Sequence, residues 1–123
     1  MNMYLFVYGT LKKGGRNHGL LMDARHVCTT RTSDRYCLLD LSSFPGAMKT
    51  PAYSQIKGEV YEIDETILGR VDQLEGKWFF RQEVPLECNM PALIFFLNEK
   101  IISIADNYRV MSGGIWPEKS DQQ

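Results

Sequence analysis

Residues 64–74 form the one stretch of this chain in which apolar side chains recur with a clear helical period. Ile67, Leu68, Val71 and Leu74 fall at i, i+1, i+4 and i+7, which lays them along one side of an amphipathic helix. Asp64 has the side chain of a helix N-cap, and Gly76 can end the helix in a left-handed conformation. Elsewhere the apolar runs are short and broken by Gly, Pro and polar clusters. Residues 3–8 read as a nearly continuous buried strand that Gly9 stops. Residues 24–28, 35–41, 56–61, 78–86 and 91–97 read as further strands, and 101–105 as the last. No long crossover helices separate these strands, so an α+β domain is predicted rather than a doubly wound parallel sheet.

The connections carry their own signals. Residues 10–19 hold Gly14, Gly15 and Gly19 with Lys12, Lys13 and Arg16, the composition of a solvated loop, and Asn17 could cap a helical turn through His18, Leu20, Leu21 and Met22. Pro45 and Gly46 close the segment 39–46 with turn chemistry. Gly58, inside a strand pattern, predicts a bulge or another backbone close by. No repeat or Pro/Ser linker divides the chain, so residues 1–123 are expected to form a single domain, with about the last six frayed.

Composition excludes several function classes. Fourteen basic residues against 15 acidic ones leave a net charge of -1, unlike a nucleic-acid protein, and Lys12, Lys13 and Arg16 are only a short basic cluster. No run approaches the roughly 18 apolar residues of a membrane span, and the first residues lack a signal-peptide pattern, so a cytoplasmic protein is expected. Cys28, Cys37 and Cys88 are odd in number without a CxxC pair, which favours free thiols in a reducing compartment. With His18 and His26 they match no zinc-ligand spacing, so no metal is expected. Gly9 to Gly15 follows a strand and contains lysines but does not fit a nucleotide P-loop; a turn whose N–H groups meet some anion stays open.

Among the acids, Asp72 and Glu75 stand three apart on one helical face, and Glu75 lies on the last turn beside the apolar stripe. A helix C-terminus disfavours negative charge, so Glu75 should be harder to ionise than an acid at the N-terminus. Taken alone, it fits a structural role better than a catalytic one.

Three stretches in register add a resemblance. Val7-Tyr8-Gly9-Thr10-Leu11-Lys12-Lys13-Gly14, with residues 17–21 after it, is similar to the opening of the gamma-glutamylcyclotransferase-like family. That family includes the gamma-glutamylamine cyclotransferases and the plant avirulence-induced proteins. Phe44-Pro45-Gly46-Ala47 and Ile56-Lys57-Gly58-Glu59-Val60-Tyr61-Glu62-Ile63-Asp64 resemble its second signature. Leu68 through Val71-Asp72-Gln73-Leu74-Glu75-Gly76, then Arg81 and Val84, resemble the helix and strand that carry its glutamate, and Ser112-Gly113-Gly114-Ile115-Trp116 is similar to a common ending.

The resemblance implies a small mixed β-barrel with flanking helices and a cyclotransferase that needs no cofactor. Tyr8, Gly9, Thr10 and Leu11 would hold the gamma-glutamyl group of a small-molecule substrate, and Glu75 would move the proton that lets its α-amine attack its own γ-carbonyl. The products would be 5-oxoproline and a free amine or amino acid. A silent member that binds a gamma-glutamyl or related amide without turnover fits the same residues. The sequence departs from the family where Phe79, Phe95 and Phe96 replace expected tyrosines and Gly114-Ile115 replaces an aspartate before the tryptophan. A rim with fewer hydroxyls implies an apolar or bulky leaving amine. Trp78, Phe79 and Trp116 fit core packing better than a partner surface, and no oligomeric state can be read.

Overall fold

Strand-forming runs with apolar residues on both faces need cover on both sides, and this chain supplies it by curling one mixed sheet and laying a helix against it. The computed structural model describes residues 3–102 and 108–117. The strands are β1 (Met3–Val7), β2 (Arg25–Arg31), β3 (Cys37–Asp40), β4 (Pro45–Met48), β5 (Lys57–Ile63), β6 (Phe79–Pro85), β7 (Pro91–Leu97) and β8 (Arg109–Val110). The helices are α1 (Glu65–Glu75) and the short α2 (Glu99–Ile102), with 3-10 turns at His18–Leu21 and Gly76–Trp78. The fold is α+β, and no helix among the described residues is long and apolar enough to cross a membrane.

The sheet runs β2-β5-β1-β7-β4-β3-β8, with β6 paired antiparallel to β7. β7 is the hub. Its Leu93 pairs with Leu5 of β1 and its Phe96 with Ala47 of β4, both in parallel, so β1 and β4 share one edge of β7 and diverge from each other. Alternation then divides the core. Phe6 and Tyr8 join Ile94 and Phe96 on one side, while Leu5 and Val7 join Phe95 and the α1 residues Ile67, Leu68 and Val71 on the other.

The barrel that the resemblance implies is not closed. Among the described residues, the chain after β2 meets the chain after β6 only at a Thr32–Leu86 bridge, flanked by hydrogen bonds from Ser33 N–H to Pro85 C=O (3.1 Å) and Glu87 N–H to Arg31 C=O (2.9 Å). Pro85 has no N–H to extend that ladder.

Local expectations divide in the same way. Asp64 caps α1, its Oδ1 accepting from Ile67 N–H at 2.9 Å. Gly76 follows with φ 59°, although its ψ of -149° is not that of a left-handed helix. Gly58 is explained by close approach, since a Cβ there would lie 2.4 Å from the Val7 carbonyl oxygen. Asn17 does not cap the turn after it; its side chain is taken by Thr10. Pro45 and Gly46, read as a turn, belong to β4, and Trp78, read as strand, lies in the 3-10 turn before β6. Of the predicted strand 101–105, the first two residues belong to α2, which starts after Asn98 Oδ1 accepts from Lys100 N–H at 3.1 Å. Residues 103–105 and the expected frayed end lie outside the described residues.

Candidate active site

The chain leaves β1 at Val7 and enters a turn in which Lys12 N–H donates to Gly9 C=O at 3.0 Å. The loop beyond folds back onto that turn. Asn17 N–H donates to Thr10 C=O (3.0 Å), Asn17 Nδ2 to Thr10 Oγ1 (2.9 Å), and His18 Nδ1 lies 2.9 Å from Leu11 O. Glu59 on β5 accepts from Lys13 N–H and from the Tyr61 hydroxyl, each at 2.9 Å. With their carbonyls and side chains so engaged, the N–H groups of Gly9, Thr10 and Leu11 still have no protein acceptor among the described residues.

Gly9 also has to be glycine. A Cβ there would stand 2.6 Å from Pro45 Cγ and 2.8 Å from Cδ, so the β1 turn and the start of β4 touch through that missing side chain. Tyr8 ties the same place together. Its hydroxyl donates to Phe95 C=O and accepts from Ala47 N–H at 3.0 Å, filling the gap where β1 and β4 part along β7. Burial holds this phenol far above its usual range, so it stays protonated and serves the backbone on both sides.

Across from the turn, α1 delivers Glu75. A cavity of about 350 Å³ is lined by Tyr8, Gly9, Thr10, Leu11 and Glu75 together, so all five residues singled out in the sequence border one space. Phe6, Val7 and Phe95 also line it, as do Phe44, Pro45, Leu74, Trp78 and Phe79. Phe44 packs edge-on against Trp78 (5.9 Å between centroids) and Phe79 (6.1 Å), which makes one wall aromatic. Trp78 remains 42% exposed and is rim rather than core, whereas Trp116 packs on the core and donates Nε1–H to Asp40 Oδ1 at 3.1 Å.

Glu75 is half-buried and makes no hydrogen bond or ion pair among the described residues. Burial alone pushes its carboxyl up to about 7. Arg81 on β6 is engaged elsewhere: its Nε donates to Asp72 Oδ1 at 3.0 Å, one helical turn before Glu75. The two acids on one helical face therefore differ in their surroundings, one ion-paired and the other unpaired and desolvated. A carboxyl with such a pKa can both take and return a proton near neutrality. Unpaired amides bordering the same cavity can receive a carboxylate or a developing oxyanion. Among the described residues no group of three His, Cys, Asp or Glu side chains gathers to hold a metal.

Sequence reasoning did not assign Arg16 or Asn17 to a site, yet both line the cavity. The glycine-rich, cationic character of residues 10–19 is the only local sign of it.

A family model described as "Gamma-glutamyl cyclotransferase, AIG2-like" matches residues 5–118. A Vibrio cholerae protein, provisionally named a gamma-glutamylcyclotransferase, is 36% identical over 87 residues, covering 71% of this chain and 68% of its own. The rat protein named gamma-glutamylaminecyclotransferase is 33% identical over 82 residues, covering 59% of this chain and 54% of its own. The crystal structure of YkqA from Bacillus subtilis superposes with a TM-score of 0.77 at 32% identity, over 97% of this chain and 41% of that one. The chain thus spans about half of the rat relative and less of the Bacillus one.

Proposed function

The chain belongs to the gamma-glutamyl cyclotransferase, AIG2-like family, and from that premise we propose that it cyclises a gamma-glutamyl compound to 5-oxoproline, releasing a free amine or amino acid. The carrying observation is an unpaired glutamate, pushed up to about 7, in one cavity with the unpaired amides of Gly9, Thr10 and Leu11.

In this reading the turn 9–11 binds the glutamyl half through its main chain, and Tyr8 contributes ring surface beside it. Ionised Glu75 takes a proton from the α-ammonium, and the freed amine attacks the γ-carbonyl carbon. A C–N bond forms, a five-membered ring closes, and the carbonyl oxygen becomes an oxyanion that the turn amides stabilise. When the oxyanion collapses, the bond to the leaving nitrogen breaks. Glu75 passes protons from the ring nitrogen to that leaving group, so two of the three ammonium protons end on the departing amine. Because nucleophile and electrophile share one molecule, ring closure carries much of the entropic advantage that enzymes otherwise create by bringing two reactants together.

The test is a panel of gamma-glutamyl amines and gamma-glutamyl amino acids, with 5-oxoproline measured for wild type and Glu75→Gln. Wild type should release 5-oxoproline, and Glu75→Gln should lose about 10²- to 10⁴-fold in rate while keeping its fold. Near-normal turnover by the variant would remove Glu75 from the chemistry. Ligand binding by wild type without any product would favour a silent binding protein.

A further inference from the structure

The cavity has a buried floor and an exposed mouth, and the two differ in chemistry. Phe6, Val7, Tyr8, Leu11 and Phe95 are nearly inaccessible, whereas Leu74 and Trp78 at the rim are 41% and 42% exposed. Arg16 is exposed as well, which puts it on the mouth side. Its guanidinium Nη1 donates to Ser43 C=O at 2.6 Å, anchoring the side chain to the loop that also carries Phe44. It forms no ion pair among the described residues. Among the described residues, Arg16 and Glu75 are the only charged ones that line the cavity, and they are not paired with each other.

A gamma-glutamyl substrate enters with its reacting half inward, since Glu75 and the turn amides have to reach it. Its leaving half then lies at the mouth, between the aromatic wall of Phe44 and Trp78 and the anchored guanidinium of Arg16. The turn amides already supply donors for the glutamyl carboxylate and for the oxyanion. Arg16 has N–H donors that no carboxylate among the described residues satisfies, so it is matched to one further anion. Resting on the function proposed above, we propose that Arg16 binds the carboxylate of the leaving group, so that the preferred substrate is a gamma-glutamyl amino acid with an apolar side chain rather than a gamma-glutamyl amine. The aromatic wall would take that side chain and the arginine its carboxylate, an arrangement a simple alkylamine fills only in part.

Two ligands separate these possibilities: gamma-glutamyl-phenylalanine and gamma-glutamyl-phenethylamine, which differ only by the leaving-group carboxylate. Titration calorimetry on Glu75→Gln, where neither should be consumed, reads the inference without needing turnover. The amino-acid compound should bind roughly tenfold more tightly, as one charge-assisted hydrogen-bonded contact implies. In Glu75→Gln/Arg16→Gln that ratio should fall close to one, and Arg16→Lys should keep part of it. In the Glu75-containing protein, the ratio of kcat/KM should follow the same course.

A ratio near one before Arg16 is changed would overturn the inference. So would equal weakening of both ligands by Arg16→Gln, which would place the guanidinium on the glutamyl carboxylate. If the binding ratio behaves as expected but wild type releases no 5-oxoproline, the carboxylate site stands and the cyclotransferase reading falls.

Discussion

The turn after β1 and the last turn of α1 border the same cavity, yet different forces fix them. The turn is laced by directional bonds: Asn17 holds Thr10 twice, Glu59 holds Lys13, His18 meets Leu11, and Pro45 fills the space a Gly9 side chain would need. Glu75 has no such partner among the described residues and owes its place to helix packing through Ile67, Leu68 and Val71 and to the apolar residues around it. Each arrangement suits the task proposed for it. Donors that stabilise a developing charge work best when they need not reorganise, so rigidity favours the turn. A group that shuttles protons has to change charge, and a fixed cation or hydrogen bond beside it would hold one state. Asp72, a single helical turn away, does have such a partner in Arg81.

If that contrast is right, the turn should be vulnerable to displacement. Gly9→Ala gives the sharpest case, because the added methyl meets ring carbons of Pro45 that cannot swing aside. The turn, or the start of β4, would have to move by an appreciable fraction of an ångström. We expect kcat/KM for 5-oxoproline release to fall by about a hundredfold, with circular dichroism showing an intact fold. Gly19→Ala serves as the control. Its Cβ meets nothing within 4 Å and its φ is not positive, so activity should stay close to wild type. Equal losses in the two variants would mean that the Gly9–Pro45 contact has no special part in holding the donors.

Glu75 should instead respond to pH. Its pKa of about 7 makes the ionised base scarce in acid, so kcat/KM should drop about tenfold per pH unit below neutrality. A limb near the ordinary carboxylate value of about 4.3 would show that burial does not control this group. Stability gives the same comparison with its sign fixed. The folded-state value lies above the unfolded one, so the folded protein binds the proton more tightly, and this contribution is lost as pH rises through 7. Denaturation of Glu75→Gln at pH 5 and pH 8 should therefore show a relative gain for the variant at the higher pH, on the order of 2 kcal/mol.

The same contrast explains what could be read from the chain in advance. Local rules reached α1 with its Asp64 cap, and the strand 91–97 coincides with β7, because side-chain period and punctuation are local properties. They missed β4. Pro45 and Gly46 look like turn residues, but a parallel strand on β7 uses the missing Gly46 side chain to admit Leu97, whose atoms would lie 3.1–3.3 Å from a Cβ. They also misread 101–102, where apolar residues suited a strand but Asn98 starts a helix. At the cavity, Glu75 and the glycine turn were visible as motif residues, while the parts played by Arg16, Asn17 and Phe44 were not. Lining a cavity depends on how β1, β4 and α1 converge, and no spacing along the chain encodes that directly. The second signature becomes intelligible only once folded: Gly58 lets β1 approach, Glu59 braces Lys13, and Ala47 N–H meets the Tyr8 hydroxyl.

Tyr8→Phe should give the smallest change in turnover and bears most directly on whether the laced turn and the sheet are one structure. The substitution keeps the ring that lines the cavity and removes the oxygen between Phe95 C=O and Ala47 N–H. Those two backbone groups sit where β1 and β4 leave β7, at Phe95 and Ala47 positions only 6% and 0% exposed, so neither is readily satisfied by water. Leaving buried partners unpaired costs about 1–3 kcal/mol, and that loss should appear in chemical denaturation with an unchanged m-value. Because the proposed chemistry uses the turn amides and Glu75 rather than this hydroxyl, kcat should change by only a few-fold at temperatures where the variant is folded, an allowance for slight movement of the turn. A large fall in kcat with stability preserved would reverse the assignment, placing the phenol in contact with the reacting groups and taking it out of the sheet.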